Sequence, residues 1–125
     1  MKYIRTEDGV YNVSCSEIVD MNTGTVLDKQ YQWSKYTHHG DTATVEVKQW
    51  CRKDIIAEAD TIEELCNEFI IEYEDSHHIV YDEFEWAKDK ALRSNKKYII
   101  YGAIWTDKGL IYVAKMNKKG ELELI

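Results

Sequence analysis

The sequence predicts an α+β domain in a single unit, 1–125: an N-terminal bent antiparallel sheet, two helices, and a C-terminal antiparallel β-hairpin or meander. Three observations predict it. Residues 98–106 and 110–116 are rich in β-branched and aromatic residues, 121–125 alternates acidic and apolar residues, and Asp107-Lys108-Gly109 and Asn117-Lys118-Lys119-Gly120 separate the three. Connections that end in glycine close hairpins, because glycine takes the left-handed conformation without a Cβ clash. Residues 60–69 place Ile62, Leu65, Cys66 and Phe69 at the i, i+3, i+4, i+7 spacing of one buried helical stripe. The first 52 residues alternate short apolar runs with turn residues.

Taken in order, 2–6 and 10–14 flank Glu7-Asp8-Gly9 as an opening hairpin. Residues 17–21 and 25–27 flank Asn22-Thr23-Gly24, and 31–37 and 44–50 flank the polar corner His38-His39-Gly40-Asp41, which makes about six short strands before residue 52. Their spacing suits a small, strongly bent sheet or barrel, with 28–35 either strand or irregular loop. The first helix is expected over 60–69, with Asp60 as N-cap and Glu63 at the third helical position, as in a capping box. Residues 70–73 and 78–81 are either two short strands or extensions of the neighbouring helices. The second helix is expected over 82–94, burying Phe84, Ala87 and Ala91. At 3.6 residues per turn Trp86 falls opposite that stripe unless the helix starts later or rotates. In 98–105 the two faces are Tyr98, Ile100, Gly102, Ile104 and Ile99, Tyr101, Ala103, Trp105. Both are apolar, so this hairpin is expected to be covered on two sides. Gly102, inside a strand, implies a bulge or a close approach by a neighbour.

Composition bounds the function. Fifteen aromatic residues and a 44% hydrophobic content exclude a disordered tail. No apolar run approaches the roughly 20 residues of a membrane helix, and the N-terminus lacks a signal-peptide core, so a cytosolic protein is expected. Cys15, Cys51 and Cys66 are odd in number and widely spaced, which reads as reduced core thiols. No G-x-S-x-G elbow is present, and Cys66 on the helical stripe reads as structural, so neither a catalytic residue nor an enzyme is expected. His38-His39 and His77-His78 are adjacent pairs without the spacing of a metal site, so neither metal nor cofactor is expected. Tyr98, Tyr101, Trp105 and Tyr112 can form a stacking platform for bases, but on a two-sided hairpin they read as core.

The sharpest signal is charge segregation. From residue 54 to 86 there are twelve acids and no lysine or arginine. The other eleven acids share the rest of the chain with all sixteen basic residues, so one segment carries −12 and the remainder +5, for the net −7. Such a face repels nucleic acid and attracts a basic partner. Glu72, Glu74, Asp75, Asp82, Glu83 and Glu85 are the expected contact face, with Trp86 as an anchor. The plainer alternative is a set of solvated helix faces and loops.

Three stretches, KYIRTEDGVYNV (2–13), ADTIEELCNEFI (59–70) and YGAIWTDKGLIYVAKMNKKGELELI (101–125), resemble a family of small uncharacterised proteins carried by phages and prophages of low-GC Gram-positive bacteria. The last stretch is the most specific. The resemblance implies a mobile-element context and a recurrent scaffold, and carries no functional residue across. With the acidic segment it leads to the expectation of a phage accessory protein, a homo-oligomer or not, that blocks a host defence complex such as a CRISPR effector by competing for its basic nucleic-acid channel. The rival reading is a binder of nucleotide signals that uses Tyr31, Trp33 and Tyr36 with Lys35, Arg52 and Lys53. A third is a self-associating phage protein with no inhibitory role.

Overall fold

In the computed structural model, which describes residues 2–125, ten strands form two five-stranded antiparallel sheets accompanied by one α-helix. The first sheet has the order β4-β3-β2-β1-β5, from β1 (Lys2–Thr6), β2 (Gly9–Val19), β3 (Val26–His39), β4 (Thr42–Cys51) and β5 (Ala57–Ala59). The six short strands expected before residue 52 are four longer ones. The splitting came from Asp28, Lys29, Gln30, Gln32, Ser34 and Lys35, which break the hydrophobic alternation. They belong to an unbroken strand because most of β3 is exposed on both faces and is held by backbone pairing to β2 and β4.

The second sheet has the order β10-β9-β8-β6-β7, from β6 (Glu68–Tyr73), β7 (His78–Tyr81), β8 (Tyr98–Thr106), β9 (Gly109–Met116) and β10 (Leu122–Leu124). The C-terminal three-stranded meander is thus continued by a hairpin from the middle of the chain. This overturns the two-helix α+β assignment. Of the helix expected over 60–69 only a 3-10 turn, Glu63–Leu65, is present, and Glu68–Tyr73 is a central strand between β7 and β8. Consecutive Phe69, Ile70 and Ile71 are all buried. Successive strand residues face opposite ways, so such a run fits a strand enclosed on two faces and not a one-sided helix. Asp60 caps no helix; its carboxylate lies 3.5 Å from Lys2 Nζ.

The single helix, α1 (Phe84–Arg93), buries Phe84, Ala87 and Ala91 against β6, β7 and β8. Glu83 precedes it in extended conformation, Glu85 stands in its first turn, and Lys90 and Arg93 close it, as the helix dipole favours. Ser94 ends it by donating from Oγ to the Ala91 carbonyl at 2.7 Å. Together with Val10, Ile62 and Leu65, α1 covers the inner face of the second sheet: Phe69, Ile71, Tyr73, Ile100, Ile104, Ala114 and Leu122.

The outer face of the second sheet is covered only at its centre, where Ile70 and Ala103 are buried, contrary to the expectation for β8. Ile99, Trp105 and Tyr112 are exposed there, and Tyr101 stacks on Tyr112 with ring centroids 4.8 Å apart. Gly102 serves both purposes expected of it. The register slips between Gly102 and Ala103, and a Cβ on Gly102 would lie 2.8 Å from Cys66 Sγ. Cys66 thus fills the place of the missing side chain. Burial pushes its thiol up to about 12, and the charge of Glu63 adds to the effect. Cys15 and Cys51, expected in the core, are instead exposed on the first sheet.

A smaller core of Ile4, Val13 and Tyr31, flanked by Tyr11, Trp33 and Trp50, lies under the first sheet. That sheet is curled. Tyr31 on β3 donates a hydrogen bond to Glu58 on β5 across two intervening strands, a span of about 14 Å in a flat sheet. Glu58 also takes an ion pair from Lys2 at 3.0 Å. The Tyr31 hydroxyl first, then Lys2, hold the Glu58 carboxyl below its ordinary value.

Two outcomes follow from these contacts. Gly102→Ala should destabilise the fold by about 1 kcal/mol, since the added methyl must displace Cys66, whereas the same change in a Cys66→Ala background should be neutral or stabilising. Urea unfolding of the four proteins measures the coupling. Because the folded carboxyl of Glu58 is depressed, its contribution is present above the ordinary value of 4.5 and lost as pH falls through the lower folded value. Tyr31→Phe should therefore cost about 1–2 kcal/mol near neutrality. Its Tm should fall less than that of the wild type between neutral pH and about pH 3.

Candidate functional site

The acidic segment is folded back on itself, so its charges do not form one face. The β6–β7 hairpin carries Glu74 and Asp75 at its turn, while Asp82 and Glu83 leave its other end to start α1. The seven expected contact residues fall into three places.

At the turn, Glu72 and Glu74 share a hollow of about 620 Å³ with Tyr73, Lys96, Lys97 and Tyr98. Its charge is largely matched. Asp75 is paired with Lys96 at 3.0 Å, and that ammonium, with the His77 amide, holds its carboxyl below the ordinary range. Glu72 lies 3.8 Å from His78 Nε2.

At the helix start, Asp82, Glu83 and Glu85 meet Glu63 and Glu64 across a groove of about 410 Å³ that also contains Thr61, Phe69 and Phe84. No lysine or arginine lines it. Among the described residues these five carboxylates form no ion pair, while Glu58, Asp60 and Asp75 each pair with a lysine. Part of this charge serves the positive end of α1. The rest comes from the 3-10 turn, brought opposite by the buried Ile62 and Leu65. Phe69 and Phe84, whose ring centroids are 5.6 Å apart, give the groove an aromatic floor. Glu63 and Glu64 are absent from the expected contact set because residues 60–69 read as a helix with Glu63 in its capping box, whereas the two lie in a 3-10 turn.

Trp86 is 57% exposed, so the placement opposite the α1 stripe holds and the core placement does not. It sits in a third hollow with Tyr81, Asp89, Lys90 and Arg93, where Arg93 pairs with Asp89 at 3.1 Å. That setting is of mixed charge, and Trp86 does not line the acidic groove.

The residues of the rival nucleotide reading are not gathered. Tyr31 is buried and bonded to Glu58, and Trp33 packs on Tyr11 at 5.8 Å between centroids. Lys35 and Tyr36 stand far along β3 and, being adjacent, point to opposite faces. The hollow that holds Lys53 is lined by Glu7, Asp8 and Asp54, a poor setting for phosphate. His38 and His39 are likewise adjacent on β3, and no three His, Cys, Asp or Glu side chains among the described residues converge as a metal site would require. No described helix is long and apolar enough to cross a membrane.

Comparison with known proteins returns nothing: no family model, no curated protein and no solved structure matches the chain.

Crowding five unpaired carboxylates should leave a measurable trace. Glu63→Gln combined with Glu64→Gln should raise the Tm at low ionic strength. The gain should vanish in about 1 M salt, where the screening length is only about 3 Å. A scanning fluorimetry series in salt checks this.

Proposed function

We propose that the chain is a non-enzymatic binding protein that docks a basic surface of a partner protein. The observation that carries this reading is the groove of Glu63, Glu64, Asp82, Glu83 and Glu85, which has an aromatic floor and no basic residue in its lining. A cationic side chain entering it meets these carboxylates with no competing cation in the lining. The turn cluster contributes less, since Lys96 already occupies Asp75. This revises the expected contact face: Asp82, Glu83 and Glu85 stay in it, Glu63 and Glu64 join, and Glu72, Glu74, Asp75 and Trp86 become peripheral.

The resemblance to phage proteins sets the context for the partner. A host defence complex with a basic nucleic-acid channel, such as a CRISPR effector, presents the surface that this groove suits. An acidic protein lodged there excludes nucleic acid by like-charge repulsion and needs no chemistry to inhibit.

Charge reversal separates the two acidic ends. The tagged protein is used to capture partners from a lysate of a bacterial host at low and at high salt, beside Asp82→Lys/Glu83→Lys/Glu85→Lys and Glu74→Lys/Asp75→Lys. The groove variant should lose a nucleic-acid-handling partner that the turn variant retains, and high salt should weaken capture by the wild type. Capture that survives reversal of the groove removes the proposal.

A further inference from the structure

β4 lies at the edge of the first sheet, and no described strand pairs with its outer side. Folded proteins ordinarily keep such edges short, bulged, interrupted by proline or covered. Thr42–Cys51 is ten residues long, contains no proline and pairs with β3 in an unbroken register. β2 pairs with β3 only as far as Gln32, so beyond that point β3 and β4 run on as a two-stranded ribbon. Two strands alone are marginal in water. On one face of the ribbon Tyr36, Val45 and Val47 are 68%, 51% and 47% exposed.

The turn determines which backbone groups face the free edge. His39 pairs with Thr42 around Gly40-Asp41, with Gly40 at φ 66°. In a two-residue hairpin the closing pair exchanges hydrogen bonds, and bonded pairs then alternate along the ladder. Ala43, Val45, Val47 and Gln49 therefore direct N–H and C=O outward. The Cys51 amide, next in this series, donates not to β3 but to the Asp54 carboxylate at 3.2 Å.

We propose that a second copy of this chain occupies this edge, with β4 paired antiparallel to its counterpart about a twofold axis at Val47. Side-chain complementarity selects the copy and the register. With Val47 opposite Val47, Glu46 of each chain stands opposite Lys48 of the other, twice, in non-hydrogen-bonded sites where side chains are closest, and Lys48 also donates to the Tyr11 hydroxyl of its own chain at 3.4 Å. Moving the twofold axis by one residue either way sets Glu46 against Glu46 or Lys48 against Lys48. The same register puts every outward-facing amide from Val45 to Gln49 in a hydrogen-bonded site, and Val45 opposite Gln49. An isologous contact of this kind closes on itself, and the two sheets merge into one of ten strands. It rests on β4 alone and is independent of the acidic groove.

Sedimentation velocity on the full chain tests it. The wild type should sediment at twice the 14.7 kDa chain mass at micromolar concentration. Val47→Pro removes an outward N–H that serves no bond to β3, so the fold should stay intact by circular dichroism and the protein should become monomeric. Glu46→Lys and Lys48→Glu, each alone, should weaken self-association about tenfold, with circular dichroism checking that Lys48→Glu, which also loses the bond to Tyr11, stays folded. Mixed together, they should form a heterodimer, since each then supplies the charges that the other lacks. A wild-type monomer, or a dimer indifferent to both Val47→Pro and Glu46→Lys, overturns the proposal.

Discussion

The pairing of β6 with β8 is the constraint on which the rest of the second half depends. Phe69 meets Gly102, Ile71 meets Ile100 and Tyr73 meets Tyr98, and this registers a hairpin from mid-chain onto the C-terminal meander. Once β6 is in place, β7 pairs on its other side, and α1 must cross back over both to reach β8. Phe84, Ala87 and Ala91 then have one surface available. The acidic groove is a by-product of that path: the entry to β6 and the exit from β7 lie at the same end of the hairpin, so the acids before one strand and after the other come together. Their separation in sequence is about twenty residues, yet strand pairing makes them neighbours.

The two halves of the molecule are built on different terms. The inner face of the second sheet is buried by α1 and by Val10, Ile62 and Leu65, and the largest part of the core is there. The first sheet buries three residues in its own cluster, and its outer strands are nearly all exposed. Stability in such a protein is not uniform, since segments with few buried apolar contacts open locally at less than the global cost. The Tyr31–Glu58–Lys2 contact matters because it ties β3 to β5 and to β1. It is a tie within the first sheet that holds the exposed β3 to β5, whose Ala57 and Ala59 pack against the main core.

This difference explains what could be read from the sequence. Residues 98–125 were legible as three strands because glycine-ended turns and β-branched runs are local signals, and the stripe Phe84, Ala87, Ala91 was legible as a helix for the same reason. Residues 60–69 were not. Their i, i+3, i+4, i+7 stripe and capping box are genuine local helix signals, but Phe69, Ile70 and Ile71 complete a sheet whose other strands lie some thirty residues away, and tertiary pairing overrides propensity. The long β3 was broken into pieces because Asp28, Lys29 and Gln30 carry no hydrophobic alternation, and there the strand is held by backbone pairing to its neighbours. Of the candidate site, Asp82, Glu83 and Glu85 were visible as charge. Their meeting with Glu63 and Glu64, and the loss of Asp75 to Lys96, depend on topology that no window of sequence contains.

An edge strand and an acidic groove on separate elements have a joint consequence. The groove is made from the 3-10 turn, β6, β7's exit and α1, and none of these belongs to β4 or its neighbour β3. Pairing through β4 therefore leaves each groove open and yields a particle with two of them, related by the same twofold axis. A monovalent groove that relies on exposed carboxylates binds weakly at physiological salt, because surface ion pairs are screened over about 8 Å. Two grooves on one such particle would convert the second contact into an intramolecular one, which raises avidity with no added interaction at either site. The gain exists only for a partner whose basic surfaces repeat at the spacing the sheet imposes, so the geometry of the edge sets a limit on the partner that the charge of the groove alone does not.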